Sequence, residues 1–117
     1  MSYDLLVLTR DRPDQATYTD FAASHAVSVS GDVTSGGVRL DRDGAPVLVA
    51  DPPVQVAADE VERLTGWRPP GDRWWAELHV PAAATVEDRR LAHLLGRLLA
   101  ARHDGHLHDP QTPPVTQ

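Results

Sequence analysis

RWWAELHV, residues 73–80, is the stretch that decides the fold of this chain. Its residues alternate in polarity, and successive side chains of a β-strand point to opposite faces of a sheet. The set that we expect to face the core is Trp74, Ala76, Leu78 and Val80. Trp75, Glu77 and His79 share the other face, where an exposed indole is typical of an interaction anchor, so these three are the candidate binding residues. The alternative is that Trp75 packs beneath a helix or the C-terminal tail.

Other stretches predict the neighbouring strands. YDLLVLT, residues 3–9, is apolar almost throughout, which is typical of a central strand covered on both faces. Residues 38–41 and 46–51 are strand-like and are joined through an Asp-Gly pair, which favours the tight turn of a β-hairpin. Residues 26–33 alternate in polarity and predict one further strand.

Helical periodicity marks two main segments and a shorter one. Residues 13–24 place apolar side chains at the spacing of one helical face. Residues 86–103 form the longest predicted helix, and Thr85 with Asp88 resembles a capping box at its start. The stripe that we expect this helix to bury is Leu91, Leu94, Leu95, Leu98 and Leu99. A short helix precedes Gly66, a residue typical of a helix C-terminus.

The order of these elements predicts the fold class. Strands mixed with two main helices indicate an α+β protein with a mainly antiparallel sheet. We expect a ferredoxin-like two-layer sandwich, in which the two main helices lie on one face of the sheet. Its 117 residues are enough for one domain, which we place at residues 1–109, and we expect residues 110–117 to form an extended C-terminal tail.

Composition limits the classes of partner and site. With 17 acidic and 11 basic residues the net charge is −6, which argues against binding to nucleic acid and favours a basic partner. The absence of cysteine excludes disulfides and thiolate zinc sites. The N-terminus does not resemble a signal peptide, and no stretch approaches membrane-spanning length. We therefore expect a cytoplasmic protein that binds no membrane.

Three histidines near the C-terminus are the candidates for a metal site. If the chain is extended there, His106 and His108 point the same way, a spacing that suits two ligands of one metal. His103 could complete a site for zinc or another divalent metal, with Asp104 or Asp109 in support. The alternative is structural, with His103 stabilising the C-terminus of the long helix through its partial charge. No HExxH-like spacing is present to support the metal site.

Catalytic patterns are weak in this sequence. Acid–base catalysis needs ionisable groups that converge in a pocket. Asp4, Asp51, Glu77 and His79 lie on or beside the predicted strands, but their spacing does not show convergence. A nucleophile is poorly supported, because the chain has no Cys and no Ser flanked by the glycines of a nucleophile elbow. These patterns favour a non-catalytic protein.

The two ends of the chain resemble one group of small proteins. The residues that carry this likeness are Tyr3, Asp4 and Leu5 at the start and Gly105, Asp109, Pro110, Gln111 and Thr112 at the end. They resemble small uncharacterised bacterial proteins of high-GC genomes that begin with a Tyr-Asp-Leu strand. Some of these are similar to immunity proteins of polymorphic toxin systems. The resemblance implies a toxin domain as partner and supplies no catalytic residues.

These observations predict a non-catalytic binding protein without a cofactor. The leading hypothesis is an immunity protein that neutralises a toxin domain, because many toxin domains are basic and an acidic protein would capture them rapidly. The alternative is a small metal-binding protein or enzyme that uses His103, His106 and His108. A homodimer formed through an exposed sheet face is a third possibility.

Overall fold

A computed structural model of the chain describes residues 3–109, which form seven strands and three helices. The strands are β1 (Tyr3–Thr9), β2 (Ser28–Asp32), β3 (Gly37–Arg42), β4 (Ala45–Ala50), β5 (Val54–Val56), β6 (Arg73–Val80) and β7 (Gly105–His108). The helices are α1 (Gln15–Ser24), α2 (Ala58–Thr65) and α3 (Val86–Arg102). Residues 110–117, for which we expected an extended tail, lie outside the described residues.

The strands form one sheet in the order β2-β3-β4-β6-β1-β7, and neighbouring strands pair antiparallel. RWWAELHV is β6, which pairs with β1 along its length, so that Leu5 lies opposite Leu78. The edge of β6 that pairs with β4 also pairs with β5, where Val54 lies opposite Trp75. The α+β class and the mainly antiparallel sheet are confirmed. The hairpin of β3 and β4 turns at Asp43-Gly44, where both residues have positive φ.

One face of the sheet, here called the covered face, carries the main core. α1 and α3 both pack on it, as the sequence predicted for its two main helices. Leu5, Val7, Leu48 and Leu78 point into this core and are almost fully buried. α3 adds a buried stripe of Leu91, Ala92, Leu95 and Leu99, whereas Leu94 is exposed. Alternation along β1 and β6 therefore sends Ala76, Leu78 and Val80 into this core, whereas Trp74, which we expected with them, is only partly buried and lies outside it.

The opposite face, here called the open face, carries a second and smaller core. Leu6 and Leu8 of β1 are buried there against Val61 of α2, with Trp67 and Trp75 partly buried beside them. α2 thus lies across the sheet from α1 and α3. The ferredoxin-like two-layer arrangement is not confirmed, because this short helix adds a partial third layer. Val61 is the buried residue of α2, so much of the open face beyond this smaller core stays accessible to solvent.

The ends of α3 are set by local chemistry. Thr85 and Asp88 form the predicted capping box, and Arg42 of β3 pairs with the Asp88 carboxylate at 2.6 Å. After the helix, Asp104 adopts a positive φ of 56° and the chain turns into β7. A Cβ atom at Gly105 would lie 1.9 Å from the Leu8 carbonyl oxygen, so only glycine lets β7 approach β1 this closely.

Within residues 3–109, none of the helices has the length and apolar character needed to span a membrane.

Candidate functional site

Four ionisable side chains converge on the open face, and we call them the His79 cluster: Asp4, Asp51, Glu77 and His79. His79 Nδ1 lies 2.9 Å from Asp4 Oδ1, and His79 Nε2 lies 2.7 Å from Asp51 Oδ2. Glu77 Oε2 is 3.6 Å from the same Nε2 atom. The imidazole is therefore held between carboxylates on both of its nitrogens. Each of the four side chains keeps between 33% and 50% of its surface exposed.

Strand register explains this convergence. Asp4 lies directly opposite His79 in the pairing of β1 with β6, and Glu77 is two residues before His79 on the same face of β6. Asp51 follows the last residue of β4, where the paired part of that strand ends. The Asp51 amide donates to the Glu77 carbonyl at 3.0 Å, which fixes the chain beside β6. Three separate segments thus supply the cluster.

The carboxylates favour the charged form of the imidazole. Burial lowers the pKa of His79, but its hydrogen bonds with Asp4 and Asp51 and the charges of both groups outweigh that effect. The pKa of His79 is therefore raised above its usual value of 6.5. Even with this histidine protonated, three carboxylates surround one positive charge.

A cleft of about 320 Å³ adjoins the His79 cluster on the open face. Leu64 and Thr65 of α2 form one wall, and Trp75 and His108 contribute from the sheet. The Trp75 indole Nε1 donates to Glu77 Oε1 at 3.1 Å, so this ring is tied to the cluster. A second concavity of about 270 Å³ lies between Trp75, Glu77 and Asp51. The site is thus a shallow surface that combines an aromatic ring with carboxylates.

The structure brings Trp75, Glu77 and His79 together on one face, as the alternation of β6 indicated. Trp75 is partly buried, because its side chain packs against the smaller core. Asp4 and Asp51 complete the cluster. From the sequence, these two residues are recognised only as acidic residues that lie on or beside predicted strands. Their convergence depends on the β1–β6 register and on the path of the chain after β4, which spacing along the sequence does not encode.

The structure does not bring together His103, His106 and His108, the predicted metal ligands. His103 is buried at the C-terminus of α3, where its Nε2 atom lies 2.9 Å from Thr17 Oγ1 of α1. His106 and His108 lie on β7 opposite Leu8 and Leu6, whose side chains occupy the open face. The turn at Asp104 separates α3 from β7. The His103 imidazole therefore lies on the covered face, and those of His106 and His108 lie on the open face. Among residues 3–109, the side chains whose ligand atoms lie close enough together to hold one ion are instead those of Asp51, Glu77 and His79.

His106 differs from His79 although both lie on the open face. Its ring meets the Trp67 ring edge-on, with centroids 4.0 Å apart. Burial lowers the pKa of His106, and the charges of His108 and Arg73 lower it further. His106 therefore favours its neutral form and acts as a packing side chain.

A second polar group, at the covered face, links β1 to α3 and to the segment after β7. Tyr3 Oη lies 2.6 Å from His93 Nε2 of α3 and donates to Asp109 Oδ2 at 3.0 Å. Burial raises the pKa of Tyr3, and the Asp109 carboxylate raises it further. The Arg89 guanidinium lies 5.4 Å from the centre of the Tyr3 ring. These contacts join β1, α3 and the segment after β7, which is a structural role.

Comparison with protein-family models, curated proteins and solved structures finds no match to this chain.

Proposed function

We propose that this chain is a non-catalytic, cytoplasmic protein-binding module that captures a basic partner through its open face. The observation that carries this proposal is the combination of Trp75 with exposed apolar side chains and surplus carboxylates on one shallow surface. A toxin domain that this protein neutralises is the partner class that we favour.

The apolar part of the surface suits a protein partner. Leu64 and Val54 are 49% and 54% exposed, and they border the two concavities that meet at Trp75. Tryptophan is among the side chains that contribute most to binding energy when a partner covers them. A half-buried Trp75 is already ordered by its hydrogen bond to Glu77, so little side-chain entropy is lost on binding.

The charged part suits a basic partner. Asp4, Asp51 and Glu77 line the two concavities that meet at Trp75, and the whole chain carries a net charge of −6. Complementary charge speeds the encounter of two proteins and disfavours partners of the same sign. Lysine or arginine side chains of a partner would meet these carboxylates at the rim of the cleft.

The contacts of His79 tie its imidazole to the carboxylates of the same surface. Both ring nitrogens face carboxylates at 2.9 Å or less, so the imidazole is engaged within the cluster. The chain ends resemble small uncharacterised bacterial proteins, some of which are similar to immunity proteins, and this resemblance favours a toxin domain as the partner.

The test is affinity capture followed by a binary measurement. Wild-type protein and Glu77→Lys are used to capture proteins from the native host, and each retained protein is purified and titrated against both. We expect a basic protein that binds the wild type, loses affinity as salt rises, and binds Glu77→Lys at least ten-fold more weakly.

The control is Asp20→Lys, an equal change of charge on α1, which packs on the covered face. It should leave the affinity within about two-fold of wild type, since distant exposed charges are screened. An acidic partner, or a partner that Glu77→Lys binds normally, would contradict the proposal. A solution mass of two chains that reverts to one in Trp75→Ser would mean that the open face binds a second copy instead.

A further inference from the structure

We infer that Asp51, Glu77 and His79 bind one divalent transition-metal ion, with Asp4 and Trp75 as positioning residues. This goes beyond the proposed protein binding and does not depend on it. It also replaces the three-histidine site that the sequence suggested.

The three ligand atoms already lie around one point. All of them are within 4.8 Å of one another. Tetrahedral bonds of 2.0–2.1 Å to zinc place ligand atoms roughly 3.3 Å apart. The 3.6 Å between His79 Nε2 and Glu77 Oε2 is close to that spacing. The 2.7 Å between Nε2 and Asp51 Oδ2 is a hydrogen bond, and it widens when a metal ion replaces the shared proton.

The imidazole is oriented as a metal-bound histidine usually is. Ligating histidines donate their other ring N–H to a carboxylate, which fixes the tautomer and the direction of the ring. Asp4, on the neighbouring strand, accepts from His79 Nδ1 at 2.9 Å, which leaves Nε2 facing Asp51 and Glu77. With Nδ1 committed in this way, Nε2 carries either a second proton or a metal ion.

Glu77 has a comparable support. The Trp75 indole donates to Oε1 of this carboxylate, so that Oε2 is the oxygen nearest to His79 Nε2. Trp75 is itself held by packing against the smaller core. Two of the three ligands are therefore positioned by side chains outside the set, which distinguishes this group from exposed acidic residues that merely lie near each other.

The negative charge of the cluster also favours binding of a cation. In residues 3–109 the ion pairs of Asp51 and Glu77 both lead to His79, so two carboxylates share one imidazole. A divalent ion neutralises both of them and allows the imidazole to be neutral.

The ligand set selects the class of metal. One imidazole nitrogen and two carboxylate oxygens suit zinc, manganese or ferrous iron, and not a thiophilic ion. Three protein ligands with an adjoining cleft resemble open sites in which the fourth position holds water or another molecule. We take Zn²⁺ as the first probe and Mn²⁺ as the second.

The experiment is calorimetric titration of Zn²⁺ into untagged full-length protein at neutral pH, with the same titration of single variants. The variants that remove a ligand are Asp51→Asn, Glu77→Gln and His79→Gln. The controls are His108→Gln, which alters another side chain of the same cleft, and Asp20→Asn on α1. Thermal unfolding verifies that each variant folds.

We expect one ion per chain in the wild type and the two controls, and at least ten-fold weaker binding in each ligand variant. Asp4→Asn should weaken binding by about 10–100-fold, the usual effect of removing an outer partner. Lower pH should weaken wild-type binding, because protons compete for His79 Nε2. Absence of saturable binding by both Zn²⁺ and Mn²⁺ would overturn the inference, as would normal binding by Glu77→Gln or loss of binding in His108→Gln.

A second measurement on the wild type removes any dependence on the folding of variants. Zn²⁺ should shift the imidazole NMR signals of His79 and leave those of His93 and His103, on the covered face, unchanged. Shifts confined to other histidines would contradict the site. A protein that binds a basic partner but no metal would refute this inference alone, and a metal-binding protein without a partner would refute only the proposed function.

Discussion

The two faces of one sheet differ in what they bury, and the difference separates stability from function. The covered face packs two helices over leucine and valine side chains that are almost fully buried. The open face has a smaller core of three buried residues, two from β1 and one from the short helix α2. Beside this core lies the partly exposed His79 cluster. Alternation along β1 and β6 produces both faces from the same two strands. Changes on the covered face should therefore cost folding energy, whereas changes on the open face should alter binding.

The largest effect is expected from adjacent leucines of β1. Leu5 points into the main core and is 1% exposed, and Leu6 points into the smaller core and is 6% exposed. Truncation of a buried leucine to alanine lowers the free energy of unfolding by about 2–5 kcal/mol, more where the surroundings cannot close the cavity. We expect Leu5→Ala near the upper end and Leu6→Ala near the lower end, measured by urea unfolding. Equal losses would mean that the two cores are equally rigid.

A smaller effect is expected from a histidine on the covered face. His103 is buried and its Nε2 atom contacts Thr17 Oγ1, which itself donates to Asp14 Oδ1 at 2.8 Å. His103→Ala removes a partner of a buried hydroxyl and should lower the free energy of unfolding by about 1–3 kcal/mol. His79→Gln serves as the comparison on the open face, where exposed charges interact weakly, and should cost less than about 1 kcal/mol. A larger loss in His79→Gln would break the division between the faces.

Local patterns in the sequence predicted most of the elements. β6 follows from alternation, the β3–β4 hairpin from Asp43-Gly44, and α3 from its capping box, with its end one residue earlier than predicted. α1 begins at Gln15 with Asp14 as its N-cap, two residues later than predicted, because the Asp14 side chain accepts from the Thr17 amide. β5 was missed, since three residues after two prolines carry too little pattern.

The site was only partly predictable, because its geometry depends on strand pairing. Alternation placed Trp75, Glu77 and His79 on one face, which the structure also shows. Asp51 joins them only because β4 ends beside β6 and the chain turns there. The three-histidine site did not form, because spacing within a segment says nothing about a helix end at His103 and a new strand after it.

The third prediction concerns pH and again compares two side chains, now both on the open face. The pKa of His79 is raised above 6.5, so its contribution to stability is complete below pH 6.5 and is lost as pH rises through the higher native value. The pKa of His106 is lowered, so the fold favours its neutral form. The free energy of unfolding that His106 contributes is therefore lost as pH falls below 6.5. Because His79 is about one-third exposed, its effect should stay below about 1 kcal/mol.

Two measurements check this prediction. The free energy of unfolding of the wild type should decline as pH rises from 6.5 through the native pKa of His79, and His79→Gln should flatten that decline. In an NMR titration with rising pH, His106 should lose its proton before His79 does. The reverse order, or a decline that persists in His79→Gln, would show that the carboxylates do not control the imidazole.

The smallest effect on stability, and the sharpest test of the division between the faces, is expected at Leu64 of α2. This side chain is 49% exposed and borders the cleft at Trp75, whereas its helix is anchored by the buried Val61. Exposed substitutions usually change the free energy of unfolding by no more than about 0.5 kcal/mol, so Leu64→Ser should unfold as the wild type does. It should nevertheless weaken binding of the basic partner, because a partner that covers Trp75 also covers this neighbour. Leu94→Ser is the matched control, since Leu94 is 46% exposed but belongs to α3 on the covered face. If the two variants bind the partner equally well, the open face is not the binding surface, and Leu64 contributes no more to binding than Leu94 does.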